Sequence, residues 1–175
     1  MIRHFIIIYF TCMKFTAYLI FTIFFCTSGV CQTDSSIYKT NPVIPLFKIY
    51  TVPDSIVLTA NYLNRKKPVM FILFSPDCEH CKTAFKDLAT NIELFRRTQI
   101  IMVSASGYEV IRQFYVDNQV SRFKNITIGS DPSDLLSTFF DSRRYPAVFV
   151  YKKGKLKIEE RGQPDFKKIA LRAEL

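Results

Sequence analysis

The chain has 175 residues, which is enough for one domain of ordinary size rather than two. Hydrophobic residues make up 49% of it and charged residues 22%, which excludes a disordered chain, and five glycines with eight prolines exclude a collagen-like one. The formal charge is +9, and two histidines are too few for a histidine-rich metal site.

The first 31 residues are typical of an export signal. They contain no acidic residue and two strongly basic ones, Arg3 and Lys14. If translation starts at the first residue, residues 5–26 form a membrane anchor with Lys14 at its middle, where a charge is costly. If translation starts at Met13, Lys14 belongs to the charged region of a signal peptide. A short apolar stretch and a cleavage region of small residues then follow. We favour a signal peptide over 1–31, with the anchor as the alternative, and either one exports the chain to the periplasm or cell envelope.

Removing the signal also removes three of the five cysteines. It leaves one pair, Cys78 and Cys81, in an oxidising compartment. The remaining residues carry 22 Lys and Arg against 15 Asp and Glu, spread along the chain, which predicts a solvated basic surface. No nucleic-acid recognition motif is present, so we expect no nucleic-acid partner. A membrane tether is expected only if the N-terminus is retained.

The chain continues with a polar segment and then short apolar stretches. Residues 32–45 contain two prolines and predict a linker, which places the domain at 46–175. Residues 46–52 and 55–59 predict edge strands. Residues 69–74 are six apolar residues in a row, the pattern of a strand buried on both faces, as in a parallel sheet.

A helix follows that strand. Asp77 is a favourable N-cap, and apolar residues recur at spacings of three and four up to about residue 97. These residues are Cys81, Ala84, Phe85, Leu88, Ile92 and Phe95.

The rest of the chain alternates between strands and helices. We expect strands at 100–103, 125–128 and 146–151, helices at 108–118, 132–140 and 164–174, and a turn at Lys153-Gly154 that leads into a last strand at 155–160. This order predicts an α/β fold with a central mixed β-sheet flanked by helices.

The CxxC pair at the start of the helix predicts thiol–disulfide chemistry. Cys78 lies at the first turn, where free backbone N–H groups and the helix dipole favour a thiolate. Cys81 falls on the apolar face and is shielded. Disulfide exchange needs two different sulfur atoms: an exposed thiolate, which attacks a disulfide, and a buried thiol, which resolves the mixed disulfide.

These features resemble the thioredoxin superfamily, and the material between residues 102 and 145 resembles its TlpA/ResA-like branch of exported oxidoreductases. The resemblance implies a thioredoxin-like fold with an extra strand–helix insertion before the cis-proline strand. It also implies a redox-active Cys78–Cys81 disulfide and a cis Pro146 packed beside it, with Tyr145 meeting the substrate. Protein thiols or disulfides would be substrates, a second protein would donate or accept electrons, and no cofactor is expected.

Two residues inside the motif are expected to tune its redox properties. A protonated His80 beside Cys78 would stabilise the thiolate, and in the family a histidine here accompanies oxidising members such as DsbA and protein disulfide isomerase. Glu79 would act in the opposite direction, because a carboxylate disfavours a second negative charge nearby.

The sequence departs from the family at several positions. Asp77 replaces the usual aromatic residue before the first cysteine, and the chain has no Trp. The buried acids that relatives use to move the proton of the second cysteine are replaced by Ile72 and Ala84. The proton would then move through water, Glu79 or another acid.

Three other functions compete with an oxidoreductase. The first is a binding module that keeps the fold without turnover. The second is a copper or zinc module built on the CxxC, although His80 is the single histidine after residue 31 and a closed four-ligand zinc site lacks ligands. The third is a peroxiredoxin-type peroxidase, which would require a threonine where Ser75 stands.

Overall fold

The computed structural model describes residues 37–40 and 42–175. The predicted signal peptide and the first part of the predicted linker lie outside these residues. Within the described part of the chain, none of the helices has the length and apolar character needed to cross a membrane.

The described part contains seven strands, five α-helices and three short 3-10 helices. The strands are β1 (Lys48–Val52), β2 (Val57–Thr59), β3 (Val69–Leu73), β4 (Gln99–Ser104), β5 (Ile126–Ser130), β6 (Ala147–Lys152) and β7 (Lys155–Arg161). The helices are α1 (Ile37–Thr40), α2 (Glu79–Thr90), α3 (Tyr108–Asp117), α4 (Leu135–Phe139) and α5 (Phe166–Ala173).

All seven strands join one sheet in the order β2-β1-β5-β4-β3-β6-β7. β3, β4 and β5 run parallel to one another, and the remaining neighbours are antiparallel. The predicted α/β class with a mixed central sheet and flanking helices is therefore confirmed. The chain between β4 and β6 forms α3, β5 and α4.

The apolar run of β3 lies at the centre of the sheet and contributes to both faces. Met70 and Ile72 belong to one core layer, which α2, α3 and α5 cover. Val69, Phe71 and Leu73 belong to the other layer, which α1 and α4 help to cover. All five residues of β3 are buried, because successive side chains of a strand point to opposite faces and both faces are covered.

Three local predictions differ from the structure. β2 is an edge strand, but β1 lies between β2 and β5. The helix predicted to reach residue 97 ends at Thr90, because the Asn91 side chain donates a hydrogen bond to the Asp87 carbonyl and a 3-10 turn follows. The residue that caps α2 is Cys78 rather than Asp77, and its side chain makes no capping hydrogen bond.

Part of the predicted linker packs onto the domain. Tyr38 of α1 is 2% exposed, and its ring meets that of Phe149 edge-on at 5.7 Å. Its hydroxyl donates to Glu159 Oε1 at 2.9 Å and accepts from Arg161 Nη2 at 3.0 Å. Arg161 also donates to the Phe140 carbonyl. Residues 37–40 thus belong to the folded unit, where the polar, proline-bearing sequence had indicated a linker.

We expect Tyr38→Ala to lower the free energy of unfolding by about 3 kcal/mol, because it removes a buried aromatic ring and leaves Glu159 and Arg161 without their hydroxyl partner. Urea unfolding of the full chain measures this. Ile37→Ala is the matched control: Ile37 is 57% exposed, so the change should stay within about 0.5 kcal/mol. Equal, small effects of the two substitutions would show that α1 does not stabilise the domain.

Candidate active site

The CxxC motif and the start of β6, the strand that follows Pro146, meet at one edge of the sheet. β3 ends at Leu73, which pairs with Ala147 at the start of the antiparallel β6. The Tyr145–Pro146 peptide bond immediately before β6 is cis, as the resemblance implied. Cys78 Sγ lies 3.9 Å from the Tyr145 carbonyl oxygen, to which the thiol donates a hydrogen bond. Cys78 and Tyr145, which are 67 positions apart in the chain, therefore lie in one site.

The two cysteines are free thiols with different surroundings. Cys78 precedes the first turn of α2 and is partly exposed. Cys81 is 3% exposed and lies on the buried face of α2 with Ala84, Phe85 and Leu88. The Cys78 side chain is close enough to Cys81 to raise the pKa of that thiol. One sulfur is thus accessible to a partner and the other is sheltered directly behind it.

Burial, together with the neighbouring Cys78 side chain, raises the pKa of the Cys81 thiol to about 12. A void of about 10 Å³ borders the sulfur, at the lower limit for one water molecule. Its lining is apolar apart from Cys81 itself and consists of Ile72, Phe74, Ala84, Phe85, Leu88, Met102, Pro146 and Phe166. Cys81 is therefore a neutral thiol near pH 7, in a setting that does not favour a bound water.

None of the carboxylates near the site takes the place of the missing buried acids. Ile72 and Ala84 both line the void beside Cys81, where relatives would carry the acid. Asp131 is the one carboxylate that is buried among the described residues. It accepts a hydrogen bond from the Leu136 amide at the start of α4 and does not line that void. Burial raises the pKa of Asp131.

Glu79 is held on the solvent side of the helix. Its carboxylate pairs with Lys82 at 2.7 Å, and this contact lowers the pKa of Glu79. Glu79 is therefore a weak candidate for receiving the proton of Cys81, since it faces solvent and is already paired.

His80 is exposed and contacts a residue that the sequence did not single out. The Gln163 side-chain amide donates to His80 Nδ1 at 2.9 Å, which leaves Nε2 to carry the proton of the neutral ring. The neighbouring Gly162 donates its N–H to the Pro146 carbonyl. The loop between β7 and α5 thus touches both the motif and the proline. No sequence signal marks Gln163, because its role depends only on where that loop returns.

Tyr145 is held in place at both ends. Its carbonyl receives the Cys78 thiol, and its hydroxyl lies 3.0 Å from Ser137 Oγ on α4. The side chain is partly exposed, so a partner approaching Cys78 would meet it.

In residues 37–40 and 42–175, no three His, Cys, Asp or Glu side chains come together as metal ligands would. His80 lies between the two cysteines in sequence but contacts Gln163.

A model of the AhpC/TSA family matches residues 43–159. This span includes both cysteines and the Tyr145–Pro146 bond. No sequence among the curated proteins matches the chain.

Solved structures of thioredoxin-like proteins resemble the chain. StoA of Bacillus subtilis is 13% identical with a TM-score of 0.58, over 75% of this chain and 98% of StoA. DsbF of Mycobacterium tuberculosis is 17% identical with a TM-score of 0.62, over 73% and 92%. A secreted disulfide oxidoreductase of M. tuberculosis, homologous to E. coli DsbE, is 13% identical with a TM-score of 0.59, over 82% and 100%. The predicted thioredoxin-like fold is confirmed. Membership of the TlpA/ResA-like branch stays a prediction.

Proposed function

The chain belongs to the AhpC/TSA family, and from this premise we propose that it is an exported thiol–disulfide oxidoreductase that exchanges disulfides with protein substrates. Cys78 and Cys81 form its redox-active pair and become a disulfide when oxidised. Tyr145 and Pro146 hold the substrate segment, and Glu79 and His80 adjust the reduction potential.

The observation that carries this proposal is the asymmetry of the two thiols beside the cis-proline. Cys78 is accessible and lies against the Tyr145 carbonyl, whereas Cys81 is buried behind it with a pKa raised to about 12. An inert structural disulfide would require neither an accessible sulfur nor a cis-proline beside it. The pair has the arrangement that sequential attack and resolution require.

The reaction proceeds in two exchanges. The Cys78 thiolate attacks one sulfur of a substrate disulfide, and the other substrate sulfur leaves and takes up a proton. Cys81 then loses its proton and attacks Cys78 Sγ, which releases the second substrate thiol and forms the Cys78–Cys81 disulfide. Two electrons and two protons pass to the substrate, and an electron-donor protein restores the dithiol. The reverse sequence oxidises a substrate dithiol.

The second exchange is the difficult one in this chain. Its attacking sulfur is surrounded by apolar side chains and has no carboxylate beside it. Its neighbour Cys78 is partly exposed, so we expect the proton of Cys81 to leave on that side. We infer that resolution, rather than the first attack, limits turnover near neutral pH.

The family match favours one second candidate, a thiol peroxidase. In that reaction the Cys78 thiolate attacks a peroxide, hydroxide leaves, and the resulting sulfenic acid condenses with Cys81 to a disulfide and water. Ser75 stands at the position where the sequence analysis required a threonine, and its carbonyl accepts the Cys78 amide hydrogen bond at 3.2 Å. Peroxide consumption with dithiothreitol as reductant, compared with insulin reduction by the same sample, separates the two activities.

The variant test of the proposal uses insulin reduction driven by dithiothreitol. We expect Cys78→Ser to reduce turnover to the uncatalysed rate, because the attacking sulfur is lost. Cys81→Ser, reduced and freed of dithiothreitol before it is mixed with insulin, should accumulate a mixed disulfide between Cys78 and insulin, because the resolving thiol is lost. Thr83→Ser, an exposed substitution on the same helix, is the matched control and should retain activity. Activity in Cys78→Ser would reject the assignment of the nucleophile.

The pH dependence of resolution can be measured with a small aromatic disulfide, 5,5′-dithiobis(2-nitrobenzoate). Attack by Cys78 releases one thionitrobenzoate, and resolution by Cys81 releases the second. Because burial raises the pKa of Cys81, only a small fraction of the mixed-disulfide molecules carries the Cys81 thiolate at pH 7. The second release should therefore accelerate about tenfold per pH unit from pH 7 to pH 9.

Cys81→Ser is the control for that experiment, since it should give the first release alone. A second release in the native protein that is independent of pH would mean that another group takes the proton of Cys81.

We expect the Cys78–Cys81 couple to have a reduction potential between about −270 mV, as in thioredoxin, and about −120 mV, as in DsbA. His80→Ala should make it more reducing by about 30 mV, because a group able to stabilise the Cys78 thiolate is lost. Glu79→Gln should raise it by less, since Lys82 already neutralises that carboxylate. Equilibration with glutathione buffers measures all three proteins, and an unchanged value in His80→Ala would exclude this histidine from tuning.

A further inference from the structure

Tyr145 contacts several parts of the site at once. Its carbonyl oxygen accepts the Cys78 thiol at 3.9 Å, and its peptide bond to Pro146 is cis. Its ring is partly buried and packs against both core layers, so it lies where the two layers meet at the edge of the sheet. Its hydroxyl lies 3.0 Å from Ser137 Oγ, its one hydrogen-bond partner among the described residues. The outer end of the ring is therefore oriented by a single polar contact with α4.

Ser137 is itself held in place, although α4 has only five residues. At the start of the helix, the buried Asp131 carboxylate accepts a backbone N–H of the first turn at 2.9 Å. Beyond its end, the Ser142 N–H donates to the Ser137 carbonyl at 2.9 Å. The ring of Phe140 stacks on that of Phe149 in β6, with the ring centroids 3.9 Å apart. A helix this short is not stable by itself, so these contacts fix it to the sheet and make Ser137 a fixed anchor.

The hydrogen bond between Ser137 and Tyr145 contributes orientation rather than stability. Both residues are partly exposed, so water can replace either hydroxyl when the bond is lost. The backbone that follows Tyr145 is fixed by the pairing of Ala147 with Leu73, but the ring can still rotate about its side-chain bonds. Without the bond, a substrate segment would have to order the ring as it binds, which weakens binding.

We propose that Ser137 is a positioning residue for protein substrates, which holds the Tyr145 side chain beside Cys78 before the substrate arrives. The inference rests on the proposed function and extends it to α4. Among the described residues, Ser137 bonds to Tyr145 and not to either cysteine, so it acts on binding and not on the exchange steps. Loss of such an interaction raises KM without lowering kcat.

The test is insulin reduction by dithiothreitol, measured over a range of insulin concentrations. Ser137→Ala and Tyr145→Phe break the same hydrogen bond from its two ends. Each should raise the KM for insulin about fivefold and leave kcat and the urea-unfolding midpoint close to their native values. The double variant should have the same KM as the single variants, because the bond can be lost only once.

Thr138→Ala is the matched control. It removes an exposed hydroxyl from the same helix and should keep the native KM, because Thr138 does not contact the Tyr145 hydroxyl. An equal rise of KM in Thr138→Ala and Ser137→Ala would overturn the inference, because the effect would then belong to the helix and not to the bond.

Three further results would also overturn the inference. A native KM in Ser137→Ala would show that the serine does not set the position of the ring. Multiplied effects in the double variant would show that the two hydroxyls act separately. A lower urea midpoint together with a lower kcat in both single variants would give the bond a structural role. Absence of insulin reduction by the native protein is a different outcome, since it would reject the proposed function and this inference with it.

Discussion

The complete burial of β3 is the constraint on which the site depends. Five consecutive apolar residues are stable only where both faces of a strand are covered, so β3 lies inside the sheet with helices on either side. Its neighbours run in opposite senses, β4 parallel and β6 antiparallel. The carboxyl end of β3 and the amino end of β6 must therefore meet at one edge. The CxxC motif follows the first and the cis-proline precedes the second, which is why they face each other.

The difference in exposure between the two sulfur atoms follows from helix geometry. Cys78 caps α2 and stays near solvent, while Cys81, three residues further along, turns toward the sheet and loses contact with water. The polar residues between them do not compensate for that burial. Glu79 is paired with Lys82, and His80 is bonded to Gln163, so both are engaged on the outer surface. The pKa of the inner thiol is thus governed mainly by desolvation.

How much could be predicted from the sequence depends on the range of the interactions involved. The apolar run of β3 and the spacing of Cys81, Ala84, Phe85 and Leu88 are strong local patterns, and the sheet, the buried face of α2 and the burial of the second cysteine were predicted from them. Single residues with distant partners were not predictable in this way. Tyr38 stands in a polar segment with prolines, and its partners Glu159 and Arg161 are more than a hundred residues away. Gln163 reaches His80 only because the chain returns beside the motif after β7. The N-cap was misplaced by one residue, because Asp77 has the better propensity but the Ser75–Cys78 turn sets where the helix begins.

β6 holds the cis-proline in a fixed position beside Cys78. The strand is paired on both sides, and all but its last residue are buried, which favours a single packing because close-packed interiors do not deform continuously. The irregular pairing between Val150 and Tyr151 is confined to the end of the strand far from Pro146. The accessible thiol of Cys78 is therefore expected to meet its substrate beside a rigid strand, so the change that disulfide exchange requires falls on the cysteines and the start of α2 rather than on β6.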